Sequence, residues 1–428
     1  MTNTVPLDAP ARLDPGSVKR LFPSSAGLTL DEHLAHYGPL PRGGPAVIDA
    51  VDRAGLRGRG GAGFPTAVKL RAVASRRRRS IVVANGTEGE PASGKDKALL
   101  VYAPHLVLDG ATVAAETVGA REIILCVERN RPATLAAVTA AVAERRARGL
   151  ERITVRVEVA PDRYVAGEES ALVHWLNGGE AKPTFVPPRP FEKGVAARPT
   201  LVDNVETLSH LGLIARFGPD WCRAVGTDAD PGTTLLTIGG AVGRPGVYEV
   251  AAGSSLRAAL ETAGADLSGI QALLVGGYFG TWIPVNQIDA LTLGADSLRS
   301  AGASLGCGIV VALPTDACGL AESARVARWL DGENAGQCGP CVNGLGALAT
   351  TMDTLVQGGW GADAARQRVP VLLDLIRGRG ACRHPDGAVR FVQSTVQVFS
   401  AEIAYHAHHG HCGAAVGLLP TPAPGAWR

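Results

Sequence analysis

Two stretches of this sequence place residues at spacings that could do chemistry. The first is Gly58-Arg59-Gly60-Gly61-Ala62-Gly63-Phe64, inside a run with five glycines in nine residues and arginines at 57 and 59. It matches G-x-G-x-x-G, but a Rossmann fingerprint needs a preceding strand. Residues 44–54 instead carry Val47, Ile48, Val51 and Ala54 at helical spacing. What remains is a glycine-rich loop ahead of a second helix. Bare amides and a helix dipole there suit a phosphate. The second stretch is Cys338-Gly339-Pro340-Cys341, with Cys382 forty-one residues further on. C-x-x-C spacing puts both sulfurs on one metal or cluster. Zinc would need four ligands, with His384, His411 or Cys412 to complete the set. An iron–sulfur cluster can use the same thiolates, and a redox dithiol lacks a thioredoxin-like context. The residues alone leave these readings open. Cys126, Cys222, Cys307 and Cys318 stand isolated and read as buried small hydrophobes.

Two further segments sit between a strand and a helix. Asn85-Gly86-Thr87-Glu88-Gly89-Glu90-Pro91 follows a strand, where ligands of α/β sheets collect, and its amides and carboxylates can hold ribose or ribityl hydroxyls. A solvated acidic turn would look the same. Tyr164-Val165-Ala166-Gly167-Glu168-Glu169-Ser170 carries adjacent acids that a helix N-terminus favours in any case.

The elements that must position these residues follow from periodicity. Residues 1–43 read as a Pro-rich arm with one short helix near Leu30–His36. After the helix over 44–54 and the loop Gly55–Gly63, a helix runs from about Thr66 to Arg78. Ile81–Ala84, Ile123–Val127 and Ile153–Val159 read as strands, with an Ala-rich helix over Pro132–Arg148. Alternating strand and helix predicts an α/β domain over 44–225. A module over 226–318 has short strands at Leu235–Ile238, Gly246–Val250, Ala272–Val275 and Ile309–Leu313, with a helix at Leu256–Ala263. Helices at Ala321–Leu330, Val342–Gln357, Asp363–Arg377 and Val389–His406 predict a bundle over 319–415. Residues 416–428 read as a disordered tail.

Composition bounds the function. Forty-two basic and 40 acidic residues leave a charge of +2, which gives no pull toward nucleic acid. Of 428 residues, 82 are Gly or Pro, which makes a folded, loop-rich chain rather than a low-complexity one. No window approaches the roughly 18 apolar residues of a membrane-spanning helix. The first residues lack a secretory pattern, so a cytoplasmic location with reduced thiols is expected.

The ordered motifs resemble one family. Gly55-Leu-Arg-Gly-Arg-Gly-Gly-Ala-Gly-Phe-Pro-Thr66 is similar to the signature loop of the NADH-binding flavoprotein subunit of respiratory complex I and of the diaphorase subunits of NAD-linked hydrogenases and formate dehydrogenases. Asn85–Pro91 with Lys95-Asp96, then Ala166-Gly167-Glu168-Glu169, then Arg198–Thr207, then the cysteines continue the order. The resemblance covers about residues 30–410. It implies an α/β FMN-binding domain, a β-grasp (ubiquitin-like, SLBB-type) α+β domain and a C-terminal helical bundle with an iron–sulfur site. By matched position, Gly58, Arg59, Gly60, Gly61, Gly63 and Lys69 would line the phosphate and dinucleotide site, and Phe64 would stack on adenine. Asn85, Thr87, Glu88 and Glu90 would contact flavin and nucleotide. Tyr164, Gly167, Glu168 and Glu169 would hold the isoalloxazine and nicotinamide, with Glu88 and Glu169 as the catalytic pair. Val202, Asp203, Asn204 and Thr207 would complete the FMN cradle.

The chain departs from the family at three points. The pattern C-x-x-C-x-x-C has Ala335 at its first position, leaving Cys338, Cys341 and Cys382 as ligands of a [3Fe-4S] cluster, or of a [4Fe-4S] cluster with a foreign ligand such as Cys412. Thr87 stands where an acid is usual, and Arg189 replaces an aromatic. Arg189 could stack on adenine or pair with the extra phosphate of NADPH. The expected function is an FMN-dependent NAD(P)H dehydrogenase, NADH being preferred, which passes electrons to a separate small ferredoxin. Two other readings are an electron-input subunit of a complex I-like, hydrogenase or formate dehydrogenase assembly, and a scaffold without cofactors.

Overall fold

The computed structural model describes residues 13–14, 19–23 and 27–428, so most of the expected N-terminal arm lies outside the described residues. Its described parts are β1 (Leu13–Asp14) and α1 (Leu30–Tyr37), the latter begun by a Thr29/Glu32 capping box. Then come α2 (Pro45–Ala54), α3 (Thr66–Ala74), β2 (Ile81–Gly86), α4 (Lys95–Tyr102), α5 (Pro104–Thr117), β3 (Glu122–Glu128), α6 (Pro132–Ala147), β4 (Thr154–Ala160), α7 (Glu169–Leu176), β5 (Thr200–Asn204), α8 (Val205–Phe217) and α9 (Pro219–Arg223).

The four strands form a parallel sheet in the order β4-β3-β2-β5. Parallel strands are covered on both faces and read as apolar runs. Val82 and Ala84 of β2 join one core, while Ile81 and Val83 join the other. β5 is invisible to periodicity because Asp203-Asn204 interrupt its apolar run. α5 and α8 cross so closely that a Cβ on Gly110 would lie 1.7 Å from the Leu208 carbonyl oxygen.

The next segment contributes β6 (Thr233–Gly240), β7 (Gly246–Ala251), α10 (Leu256–Thr262), β8 (Ile270–Val275), β9 (Thr281–Pro284), α11 (Ala295–Ser300) and β10 (Ile309–Pro314). With β1 they make a mixed sheet, β1-β7-β6-β10-β8-β9. Side chains alternate along β10. Val310 and Ala312 face a core shared with Leu256 and Leu260, and Ile309, Val311 and Leu313 face the C-terminal helices. The arm is fastened here, since the Glu249 carboxylate accepts from the backbone N–H groups of Arg20, Leu21 and Phe22.

The last segment holds α12 (Gly319–Gly332), a π-helical turn over Pro340–Leu345, α13 (Gly346–Gln357), α14 (Ala362–Ile376), α15 (His384–Val398) and α16 (Ser400–His409). The single helix expected over Val389–His406 is two, broken at Phe399. That ring is buried against Gly319, where a Cβ would sit 2.2 Å from it. The tail expected to be disordered is instead tied down. Gly417, Leu418 and Leu419 donate backbone N–H to the Glu322 carboxylate, which is fully buried, and Leu419 is itself fully buried. Ala181 N–H donates to the Trp427 carbonyl at 2.9 Å, and the Arg163 guanidinium lies 4.0 Å from the Trp427 ring centre. Among the described residues no single helix is long and apolar enough to cross a membrane.

The α5–α8 contact gives a direct test. Gly110→Ala should lower stability by about 3 kcal/mol, because neither backbone can yield to a methyl group. Gly332→Ala, which meets open space near the end of α12, should be neutral or slightly stabilising. Thermal unfolding of the two variants decides it, and a Gly110→Ala protein as stable as wild type would contradict the packing.

Candidate functional site

The glycine loop starts where Gly55 ends α2 with φ 71°. Its base is closed by Gly58 N–H to the Phe64 carbonyl at 2.8 Å and by Arg57 Nε to the Gly63 carbonyl at 2.9 Å. Gly61 (φ 108°) and Gly63 (φ 61°) need backbone conformations that side chains resist. Gly60 lies against β5, where a Cβ would come 3.3 Å from that of Asn204. The loop therefore presents bare backbone beside the carboxyl end of a strand. Arg59 N–H donates to Thr207 Oγ1 at 2.8 Å, and its guanidinium donates to the Thr233 carbonyl at 3.1 Å. Arg59 thus ties the loop to the second sheet. Phe64 is half exposed, and Phe185 and Arg189 stand exposed on another loop.

Behind the loop, Lys69 of α3 donates to the Val202 carbonyl at 2.6 Å and lies 3.7 Å from both Asp203 and Glu169. Burial would lower the pKa of this ammonium, but the two carboxylates outweigh it and hold it above the ordinary value. Asp203 is buried, which pushes its carboxyl up to about 6 against the pull of Lys69. Asp203 Oδ2 and Arg59 Nε are buried with no hydrogen-bond partner among the described residues. Such orphaned groups beside an open amide loop fit a ligand bearing hydroxyls and phosphate.

The acids divide sharply. Glu88 is buried and accepts from Ser93 Oγ, from Asp96 N–H at 3.1 Å and from Lys97 N–H at 3.1 Å, so it caps α4. Glu168 caps α7 through Ser170 N–H and Ala171 N–H, both at 3.0 Å. Glu90 accepts from Tyr164 Oη at 3.0 Å and Tyr278 N–H at 2.9 Å, and burial pushes it up to about 7. Glu88 and Glu90 are buried, whereas Glu168 and Glu169 are partly exposed, Glu169 to 37% of its side chain. Asn85 at the end of β2 donates to the Gly167 carbonyl at 2.8 Å and accepts from Thr87 N–H. Gly167 packs on Thr87 too closely for any side chain. Asn204 caps α8 by accepting from Glu206 N–H and donates to Asp96 Oδ2 at 2.6 Å. Lys95, Asp96 and Glu206 were not among the site residues named from sequence. They form a buried ion network beneath Asn204, with Lys95 Nζ 2.7 Å from Asp96 and 3.0 Å from Glu206. The Lys95-Asp96 pair in the motif order was the available signal.

Tyr164 leads from this site to the cysteines. Its N–H donates to Glu333 Oε2 at 2.8 Å, and its ring meets those of Phe279, Trp329 and His384 edge-on. Glu333 begins the loop that holds Ala335 and Cys338. Burial first, then the charges of Cys338 and Cys382, push the Cys341 thiol up to about 12, and Cys382 is raised by burial and by neighbours that include Cys338 and Glu168. Cys341 and Cys338 pack in one apolar cluster that also takes in α15, and Cys382 stands just before α15. Ala335 is buried and offers no donor. Three thiolates at family positions fit an iron–sulfur cluster with one corner unmatched. Among the described residues, the one His/Cys/Asp/Glu set compact enough for a single ion is elsewhere, at Cys318, His406 and Cys412. Cys412 is thus drawn away from the role of fourth cluster ligand, and Cys318 is not the isolated hydrophobe expected.

Comparison with known proteins follows the same division. Residues 51–212 match the Nuo51 FMN-binding domain, and residues 321–406 match the NADH-ubiquinone oxidoreductase-F iron-sulfur binding region. An F subunit of the NADH-quinone oxidoreductase of Rhizobium meliloti is 31% identical over 396 residues, covering 90% of this chain and 92% of that one. The corresponding F subunit of Mycobacterium tuberculosis is 31% identical over 382 residues, covering 86% and 85%. A chain of the NAD+-reducing [NiFe]-hydrogenase in its H2-reduced state aligns with a TM-score of 0.78 at 32% identity. That alignment covers 84% of this chain and 62% of the hydrogenase chain, so the present chain spans about three fifths of its length.

Glu90 supplies a prediction of pH dependence. Its folded pKa, about 7, lies above the ordinary 4.5. The folded state therefore holds the proton more tightly, and stability falls as pH rises from about 4.5 to 7. The full effect is about 3 kcal/mol at 1.36 kcal/mol per unit. Glu90→Gln should flatten that slope, seen by comparing unfolding of variant and wild type at pH 5 and pH 8. Parallel losses in the two proteins would remove Glu90 as the cause.

Proposed function

This chain belongs to the family of NADH-quinone oxidoreductase F subunits, and on that premise we propose that it is the NADH-oxidising flavin module of an electron-transfer system with a separate acceptor protein. It is an oxidoreductase of the NADH dehydrogenase kind, with FMN, NADH and an iron–sulfur cluster as its redox groups. Bound in this cradle, FMN would supply the chemistry of accepting a hydride and releasing electrons singly, and a cluster held by Cys338, Cys341 and Cys382 would supply one-electron transfer. The protein's part is positioning.

The observation that carries the reading is the meeting of the Gly58–Gly63 loop with Asn204, Asp203 and Lys69 at the carboxyl ends of β2 and β5. In the proposal the amides of Gly58 to Gly63 hold phosphate, and Lys69, Asp203 and Asn204 hold the flavin's polar edge. Phe64 stacks on adenine. Val202, Thr207, Asn85, Thr87 and Gly167 shape the cradle through backbone and packing. Glu88 and Glu168 act by capping the helices beside the site, and Tyr164 with Glu90 forms its wall. Glu169 is the acid that faces the nucleotide, and its charge disfavours the 2′-phosphate of NADPH. Cys338, Cys341 and Cys382 hold a three-iron cluster, since Ala335 leaves one corner without a thiolate.

The proposed partition keeps an FMN domain over 44–225, a β-grasp domain over 226–318 and a helical iron–sulfur region over 319–415. The mixed sheet with α10 on one face supports the second of these. A small ferredoxin is the first proposed acceptor. A partner protein within a larger assembly is the second, and the relatives' names as subunits favour it. A cytoplasmic setting, which keeps thiols reduced, suits three free cluster thiolates.

Anaerobic titration with NADH, followed optically and by electron paramagnetic resonance, tests the whole reading. Flavin and cluster should both be reduced, and a protein purified without flavin would end it. Gly60→Val should yield flavin-free protein, because a branched side chain cannot fit against Asn204. kcat/KM should favour NADH over NADPH at least tenfold, and Glu169→Gln should narrow the gap. A preference for NADPH would assign the choice to Arg189. Iron analysis should give three irons in wild type and four in Ala335→Cys. Four irons in wild type would overturn the three-iron assignment.

A further inference from the structure

The C-terminal helices contain a second group of metal-ligating atoms that the flavin and cluster reading does not use. Cys318 Sγ, a ring nitrogen of His406 and Cys412 Sγ all lie within 4.8 Å of one another. They come from three separate elements. Cys318 precedes α12, His406 sits in the last turn of α16, and Cys412 lies in the strap that follows. The strap is brought back by Cys318 N–H donating to the Ala415 carbonyl at 3.2 Å. Cys318 and His406 are buried, and both cysteines are free of disulfide bonds. We propose that Cys318, His406 and Cys412 bind a single zinc ion that fastens the C-terminal strap to α12 and α16.

Four features support an ion over a chance cluster. Cys318 Sγ is 3.7 Å from His406 Nε2. Zinc–sulfur bonds of about 2.3 Å and zinc–nitrogen bonds of about 2.0–2.1 Å at a tetrahedral angle give an edge of about 3.6 Å. The opposite ring nitrogen, Nδ1, lies 2.6 Å from the Val356 carbonyl and must donate to it, since a carbonyl only accepts. That bond fixes the tautomer and leaves the Nε2 lone pair facing the sulfur, the usual orientation of a zinc-bound imidazole. Cys318 Sγ also accepts from Ala321 N–H at 3.3 Å at the start of the fourteen-residue α12, which fixes the position of the sulfur. Finally, Glu402 Oε2, held by Leu320 N–H at 2.8 Å, accepts from the Cys318 thiol at 3.3 Å, so an acceptor for the proton released on metal binding lies beside the site.

Two soft sulfurs and one imidazole select zinc over magnesium or calcium. The two thiols give up their protons as the ion binds, so loading releases two protons and changes no oxidation state. The site has a structural part: it closes a loop between the start of α12 and the strap. It is separate from Cys338, Cys341 and Cys382, and it stands whether or not the flavin reading holds.

Zinc-edge X-ray absorption on the full-length protein, purified anaerobically and supplied with one equivalent of zinc, tests the proposal without interference from iron. The expected result is one zinc per chain, with two sulfur neighbours at about 2.3 Å and a nitrogen at about 2.0–2.1 Å. Cys412 is only half-buried, so Cys412→Ser should fold while losing one sulfur neighbour and most of the zinc. Cys338→Ser should leave the zinc spectrum unchanged. Protein that refuses zinc, a Cys318–Cys412 disulfide in its place, or a zinc spectrum unaltered by Cys412→Ser would each overturn the site.

Discussion

Lys95 is the charge on which the architecture of the flavin side depends. Its ammonium is 1% exposed and surrounded by Asp96, Glu206 and, further off, Glu88. Taking such a group from water costs several kcal/mol unless it is paired with good geometry. Here the pairing also joins separate parts of the chain. Asp96 receives Asn204 at the end of β5, and Glu206 of α8 accepts Leu235 N–H from β6 at 3.0 Å. Gly94, next to Lys95, donates to Thr237 Oγ1 in the same strand. Burial pushes the Glu206 carboxyl up, but Lys95, His210 and Arg59 together more than reverse it, so its pKa is depressed. One buried cation therefore fixes the second sheet, the end of β5 and the start of α4 relative to one another. The face of Asn204 against Gly60 is a product of that arrangement.

Much of the framework was readable before any coordinates because it is local. The runs Ile81–Ala84 and Ile123–Val127 lie in buried parallel strands, and the glycine loop announces itself by composition. β5 was not readable as a strand, because Asp203 and Asn204 are polar for reasons of site chemistry and not of sheet packing. The same conflict hid the role of Cys318. Its partners His406 and Cys412 lie 88 and 94 positions away, and no local spacing links them. The strap beyond Cys412 has a composition suited to disorder. Glu322 overrides it by accepting three consecutive backbone N–H groups.

That last device recurs, and it gives the acids of this chain two roles that look alike in sequence. Glu249 grips the amides of residues 20–22, Glu88 those of α4, Glu168 those of α7 and Glu322 those of the strap. In each case a buried or capping carboxylate satisfies N–H groups that would otherwise lack partners, and so sets where a segment begins or turns back. A carboxylate whose oxygens are committed to backbone donors has little capacity left for a ligand. Sequence shows only that Glu88 and Glu168 stand in loops next to glycines, which is equally the setting of a binding residue and of a cap. Glu169 instead pairs loosely with Lys69 at 3.7 Å and keeps 37% of its side chain exposed, which is why the proposed nucleotide contact falls to it. In the proposed reading, selectivity would rest on this one charge, set on a helix whose start is fixed by its neighbour, Glu168.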